Sequence, residues 1–313
     1  MSIKSTVIVS LVALSVVFSP TLAAESSGDK PAPMQAIAAA IKKVVFTPAA
    51  PAPAKNTLPE RIVAEQEALV FTAPPRESPD TGVEIYKPVA EYLSQAIGKK
   101  VRYQHPGTWG VYRTEMLKGS YDIIFDGPHF NSYRLEKLSH NILVKIPERH
   151  EFAVIVRKDK TAFQTVSQMA GRSFCTHAPP NLGTLVLLSQ FDNPSRQPVI
   201  ISTNGWENIY NGVISGKCAG GVLPMANLKK VDKANLAKVI FKTAAMPNQA
   251  FSAGPRVSLE DQMKLAQALA SPDAAAPTEK LRAAYKVGDG FSLASNQEYQ
   301  GLAVYLRNEW GYY

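Results

Sequence analysis

Cysteine is scarce: the 313 residues contain only Cys175 and Cys218. No C-x-x-C pair occurs, which excludes a zinc ribbon or finger, and two cysteines are too few for a disulfide-dense scaffold. The chain also lacks G-x-S-x-G, a P-loop and G-x-G-x-x-G, the local signatures of an esterase elbow and of nucleotide phosphate cradles. Asp122 and Asp126 are four apart, but on a strand and turn they need not face each other, and neither cysteine has more than one basic neighbour to activate it. Past the N-terminus no run reaches 18 uncharged apolar residues. Basic residues come in isolated pairs, Lys99-Lys100 and Lys229-Lys230, rather than in a stripe, which argues against a nucleic-acid track. No internal repeat of fixed period is present.

What is present is an ordinary globular composition, 45% apolar, with a formal net charge of +8 that favours anionic partners without saying of what kind. The length exceeds what one hydrophobic core usually serves, so two lobes are expected. Residues 1–23 read as a secretory signal: Lys4 gives a positive start, Thr6–Phe18 is an apolar core too short for a comfortable span, and Pro20 precedes small residues ending at Ala23. The chain is therefore expected to be exported. Residues 24–66 are rich in Ala and Pro and read as a tether, with a weak helix over Met34–Val45 and a capping box at Thr57-x-x-Glu60. In an oxidising compartment Cys175 and Cys218 either form one disulfide, worth roughly 4 kcal/mol in the chain-entropy model, or remain as two buried thiols.

The globular part alternates strands and helices. Strands are expected at Leu69–Thr72, Val101–Tyr103 and Tyr121–Phe125, then at Phe152–Val156, Ser173–Thr176, Val199–Ile201, Ala219–Leu223 and Val239–Phe241. Between them lie a helix with Tyr86, Val89, Ala90, Leu93 and Ile97 on one stripe, a helix capped by Thr108, and helices near 183–191, 206–215 and 224–230. Ser258-x-x-Asp261 and Ser295-x-x-Glu298 read as helix starts. The alternation predicts α/β lobes built on mainly parallel sheets.

Four segments, in order, carry a resemblance. Pro-Pro-Arg-Glu-Ser (74–78) leads to a helix with Tyr-Lys-Pro-Val-Ala-Glu-Tyr-Leu (86–93). Leu-Lys-Gly-Ser-Tyr-Asp-Ile-Ile (117–124) is closed by Asp126-Gly127-Pro128. Phe152–Lys160 is followed by Val166–Phe174, and Gly205–Val222 by Met246-Pro247. Over roughly residues 67–270 the chain resembles the type II periplasmic solute-binding proteins of ABC transporters, in the phosphate, phosphite and phosphonate branch. The resemblance implies a two-lobed α/β architecture with a hinge of crossover strands near 152–157 and 246–253. Lobe one would span 67–155, lobe two 156–250, and 251–313 would return as a strand and helices packing on lobe one. It also implies capture of a small anionic ligand between the lobes for a transporter permease, by a monomer that needs no cofactor and catalyses nothing.

In that setting the ligand-binding candidates are Arg76, Trp109, Asp126, His129, His150, Asn181, Gly183, Thr184, Trp206 and Glu207. Arg76 follows the first strand, where it either pairs an anionic group bidentately or is a solvated loop residue. Trp109 and Trp206 open helices and either face the cleft or pack in the core. The family's lobe-two turn is rich in serine and threonine; here Ala178-Pro179-Pro180-Asn181-Leu182-Gly183-Thr184 keeps only the Thr184 hydroxyl. Two other readings stay open: a metal site from His129, His150 and His177 with Asp126 or Glu151, and a sensory or enzymatic protein on the same fold.

Overall fold

The computed structural model describes residues 68–288, 290–307 and 309. The expected signal at 1–23, the tether at 24–66 with its Met34–Val45 helix, and the capping box at Thr57 lie outside them. No helix among the described residues is long and apolar enough to cross a membrane.

The chain builds one sheet, leaves it to build a second, and comes back. β1 (Leu69–Thr72) leads to α1 (Pro79–Ile97), where Ser78 accepts the Thr81 N–H at the start and Gly98, at φ +66°, ends the helix in the left-handed region. Its buried stripe of Ile85, Tyr86, Val89, Ala90, Leu93 and Ile97 covers the sheet; full burial of side chains this size contributes about 1.5–3 kcal/mol each. There follow β2 (Val101–Tyr103), α2 (Trp109–Leu117), β3 (Ile123–Asp126), α3 (Pro128–Lys137) and β4 (Asn141–Lys145). The second lobe holds β5 (Phe152–Arg157), β6 (Ser173–Thr176), α4 (Leu182–Leu188), β7 (Val199–Ser202), α5 (Trp206–Ile214), β8 (Gly220–Pro224), α6 (Met225–Val231) and β9 (Ala237–Lys242). β10 (Ala250–Ala253), α7 (Leu259–Ala270), α8 (Glu279–Tyr285) and β11 (Ser292–Leu293) complete the first lobe, and a 3-10 turn over Leu302–Leu306 follows.

The six-stranded sheet has the order β11-β4-β10-β3-β1-β2 and the five-stranded sheet β7-β6-β8-β5-β9. The α/β, two-lobed expectation holds, but both sheets are mixed rather than mainly parallel. β1 pairs β2 and β3 in parallel, whereas β10 runs antiparallel between β3 and β4; β5 likewise runs antiparallel between β8 and β9. β10 and β5 each arrive from the other lobe, so their direction follows from the crossing and not from a local strand–helix–strand unit.

The stretches expected at the hinge are divided in the structure. Phe152–Arg157 is hydrogen-bonded along both edges inside the second sheet, and so belongs to lobe two. The chain crosses instead at 146–151 and 243–249, where His150 and Met246 exchange both backbone hydrogen bonds at 2.8 Å. The boundary expected after residue 155 thus falls inside β5.

Lobe two also settles the cysteines: Cys175 and Cys218 are bonded, with Cα atoms 5.6 Å apart. Gly212 of α5 sits directly on the bridge, where an added Cβ would lie 2.6 Å from the Cys175 Sγ. At the C-terminal end, Ser258 caps α7 through the Asp261 N–H as expected. Ser295 and Glu298 do form a capping box, but it opens a single 3-10 turn and not a helix.

Candidate functional site

The C-terminal end of β3 delivers Asp126 into the interior, where it is fully buried. Its Oδ1 accepts from Arg76 Nη2 at 2.9 Å and from the Gly127 N–H at 2.6 Å. Its Oδ2 accepts from the Tyr112 hydroxyl at 2.5 Å and from Arg134 Nη2 at 2.8 Å. Asn131 fastens the same corner, donating to the Asp126 carbonyl at 2.8 Å and to the Ala250 carbonyl at 3.1 Å. Burial alone would raise the Asp126 pKa; the guanidiniums of Arg134 and Arg76, with the Tyr112 hydroxyl, outweigh it and hold the group below the ordinary carboxylate range.

Two guanidiniums around one carboxylate leave a net positive charge, and the two arginines differ in access. The Arg134 side chain is 0% exposed and the Arg76 side chain 28%. Arg134 lies over the rings of Tyr112 and Phe130, at 5.6 and 5.9 Å. Arg76 lies 5.8 Å from the Trp109 ring centroid and donates to the Tyr285 hydroxyl at 3.3 Å. Trp109 is itself stacked on Phe130, 6.1 Å between centroids.

His129, in the first turn of α3, is 2% exposed. Its Nε2 meets the Pro180 carbonyl of lobe two at 3.1 Å, while its buried Nδ1 has no partner. Burial pulls its pKa down to about 4, so the ring is neutral at pH 7. Gly127 lets these groups converge: a Cβ there would stand 3.1 Å from the His129 ring and 3.7 Å from Arg76 Nη2. The same glycine is the N-cap of α3 and supplies no capping side chain, so the first N–H groups of that ten-residue helix are left to other partners.

The lobe-two turn is arranged differently. Asn181 caps α4 by accepting the Gly183 N–H at 3.0 Å. Gly183 is pressed on Phe152, with an added Cβ 2.8 Å from that ring. The Thr184 hydroxyl is fully buried, donating to the His177 carbonyl at 2.5 Å beside the Thr176 hydroxyl at 2.9 Å. The one hydroxyl left in the turn is therefore committed inside the lobe. His150, half-buried at the crossing, stacks on Phe152 and meets Gln249 Oε1 at 3.1 Å. Its pKa is lowered by burial and further by the Arg76 charge.

Arg76, Trp109, Asp126, His129 and His150 thus gather around one corner, with the Pro180–Thr184 turn against it. Trp206 stands edge-on to His177 at 4.4 Å and packs into the lobe-two core, and Glu207 is exposed on the first turn of α5. Tyr112, Arg134 and Tyr285 belong to the corner but were not among the sequence candidates. Tyr112 and Arg134 read as ordinary helix positions, and only the unusual full burial of an arginine reveals the second. Among the described residues no group of three or more His, Cys, Asp or Glu is placed to hold a metal ion, so the histidine metal site has no geometry behind it.

A profile of the family described as "ABC transporter, phosphonate, periplasmic substrate-binding protein" matches residues 71–299. Solved structures with the same fold include a Prochlorococcus marinus (MIT 9301) protein in complex with methylphosphonate, 13% identical over 77% of this chain and 97% of that one, TM-score 0.56. A Xanthomonas citri protein bound to ATP is 12% identical over the same shares, TM-score 0.60. A binding-protein component of an ABC phosphonate transporter from Pseudomonas aeruginosa is 15% identical over 74% of this chain and 83% of that one, TM-score 0.51. A comparison with curated proteins finds no match.

Proposed function

Since the chain belongs to the periplasmic substrate-binding family of ABC phosphonate transporters, we propose that it holds a small phosphonate-class anion against Arg76 and passes it to a transporter permease. The family is one of solute-binding transport components; the reading for this chain is binding and release without turnover, by a monomer exported through a signal cleaved after Ala23.

The observation that carries it is the asymmetry of the two arginines on Asp126. Arg134 is sealed and serves the carboxylate, whereas Arg76 is partly open beside the unpartnered His129 Nδ1 and the uncapped start of α3. The guanidinium fork and the positive end of the α3 dipole suit an oxyanion, and His129 Nδ1, an acceptor because Nε2–H donates to the Pro180 carbonyl, suits the P–OH of a singly protonated phosphonate. The lobe-two turn adds no hydroxyl, so recognition of the anionic oxygens falls to lobe one. Ligand between the lobes stabilises a closed arrangement only by contacts it makes in that state alone.

Isothermal titration with methylphosphonate, phosphite, phosphate and sulfate tests the reading. A bound ligand at 100 times its dissociation constant adds about 2.7 kcal/mol to unfolding stability. Arg76→Ala removes that gain while the protein stays folded. Absence of heat and of thermal shift with all four anions would overturn the anion reading.

A further inference from the structure

The residues that follow β11 do more than cover lobe one. From Asn296 to Ala303 the chain is sewn to the first lobe by polar contacts. Asn296 accepts the Ile142 N–H at 2.8 Å and donates to Asn141 Oδ1 at 2.9 Å, and Glu298 pairs with Lys145. The Gly301 N–H donates to Glu136 Oε1 and the Ala303 N–H to the Ser132 hydroxyl, both at 2.9 Å, on α3. Buried Tyr299 donates to the Asn248 carbonyl at 2.8 Å, on one of the two crossing segments.

At the end of this run the contacts change in kind. Leu302 and Tyr305 pack against the lobe-two core of Phe152, Phe174, Leu182 and Val186. Leu306, fully buried, shares a cluster with Tyr112, Phe130 and Tyr133 of lobe one and with Leu185, which α4 of lobe two sends across at 3% exposure. Tyr305 touches both clusters. The segment is therefore hydrogen-bonded on one lobe and held on the other by apolar side chains.

We propose that Tyr299–Leu306 is an apolar latch that keeps the two lobes together without ligand and that must peel from lobe two before they can separate. The polar anchors fix which lobe it travels with. Hydrogen bonds lost in an opening would have to be remade with water one by one, whereas apolar contacts separate as a surface. Opening exposes Leu185, Leu302 and Tyr305 together, and that exposure sets the bias towards the closed arrangement. The 251–313 expectation is amended accordingly: most of that stretch packs on lobe one, and its last described turn spans both lobes. The latch concerns lobe motion alone and stands whichever ligand the Arg76 corner takes.

Spin labels at Glu91→Cys on α1 and Lys230→Cys on α6, both exposed positions, report the interlobe distance by pulsed dipolar spectroscopy. The native cysteines are bonded to each other, so only the introduced thiols react. Without ligand, the labelled full-length chain is expected to give one narrow distance. Adding Leu302→Ser and Tyr305→Ser should raise the ratio of open to closed populations about tenfold or more, and Val304→Ser, at a 47% exposed position of the same turn, should leave it unchanged. A broad distribution in the labelled chain before latch mutation overturns the proposal, as does a double variant that folds and keeps the narrow distance. If the double variant fails to fold, Leu185→Ala, which removes the lobe-two side of the contact, is held to the same two outcomes.

Discussion

The two sides of the interlobe corner solve different problems. Lobe one buries charge: Asp126, Arg134 and most of Arg76, with Tyr112 filling the remaining acceptor position. Lobe two buries apolar surface and closes its own polar groups, with Asn181 spent on a helix cap and Thr184 on two partners inside the lobe. A buried carboxylate persists only where cations and donors replace its water shell, so the first side is rigid and chemically specific. The second offers shape. Ligand specificity and acid sensitivity should consequently reside in lobe one, and lobe two should contribute mainly to closure.

The largest expected effect breaks the charged side outright. Asp126→Ala strands two guanidiniums, one of them with no solvent access, and should cost about 3–5 kcal/mol, measured by urea unfolding. A loss below about 1 kcal/mol would mean that water reaches the corner and that the contrast between the lobes is overstated.

Acid provides the second measurement. His129 is pulled down to about 4 and His140 to about 3, both first by burial. An unfolded histidine takes up its proton near pH 6.5. Between 6.5 and 4 the unfolded chain therefore binds more protons than the folded one, and stability falls as pH falls. From pH 7 to 4.5 the loss due to His129 alone is about 2–3 kcal/mol. Asp126, held below the usual range, adds its own loss only under still more acidic conditions. His129→Gln should flatten part of the pH 4.5–7 slope in thermal melts; an unchanged slope would move the acid sensitivity away from this corner.

The smallest effect belongs to lobe two. Asn181→Ala removes a cap from a seven-residue helix and should cost about 1 kcal/mol, with anion affinity changed less than threefold if lobe two supplies shape alone. An affinity loss as large as that of Arg76→Ala would return oxyanion recognition to the turn.

Much of the fold could be read directly. The Ser78 and Thr108 caps, the α1 stripe and the strands at 69–72, 101–103 and 173–176 depend on neighbours in sequence, and the structure has them where the pattern places them. β4 and β11 were not expected: Asn141–Lys145 is five residues with polar ends, and Ser292–Leu293 only two. Their strand character comes from pairing with each other and with β10. Within the corner, Arg76, Asp126 and His129 stood out because each follows a strand or begins a helix. Tyr112 and Arg134 did not, since nothing local distinguishes an arginine on a helix surface from one driven inward by a partner eight residues away.

By itself the sequence determined the number of lobes, most of their elements and an anion-favouring charge, because these follow from length, periodicity, caps and composition, while four motif segments in order carried the family resemblance. Tertiary structure decided the rest. It bonded Cys175 to Cys218, set the direction of β5 and β10, moved the crossing to 146–151 and 243–249, and spent Thr184 inside lobe two. It also placed the Leu302–Leu306 turn against both lobes. Each of these depends on residues far apart in the chain meeting at one place, and neither periodicity nor spacing encodes that meeting.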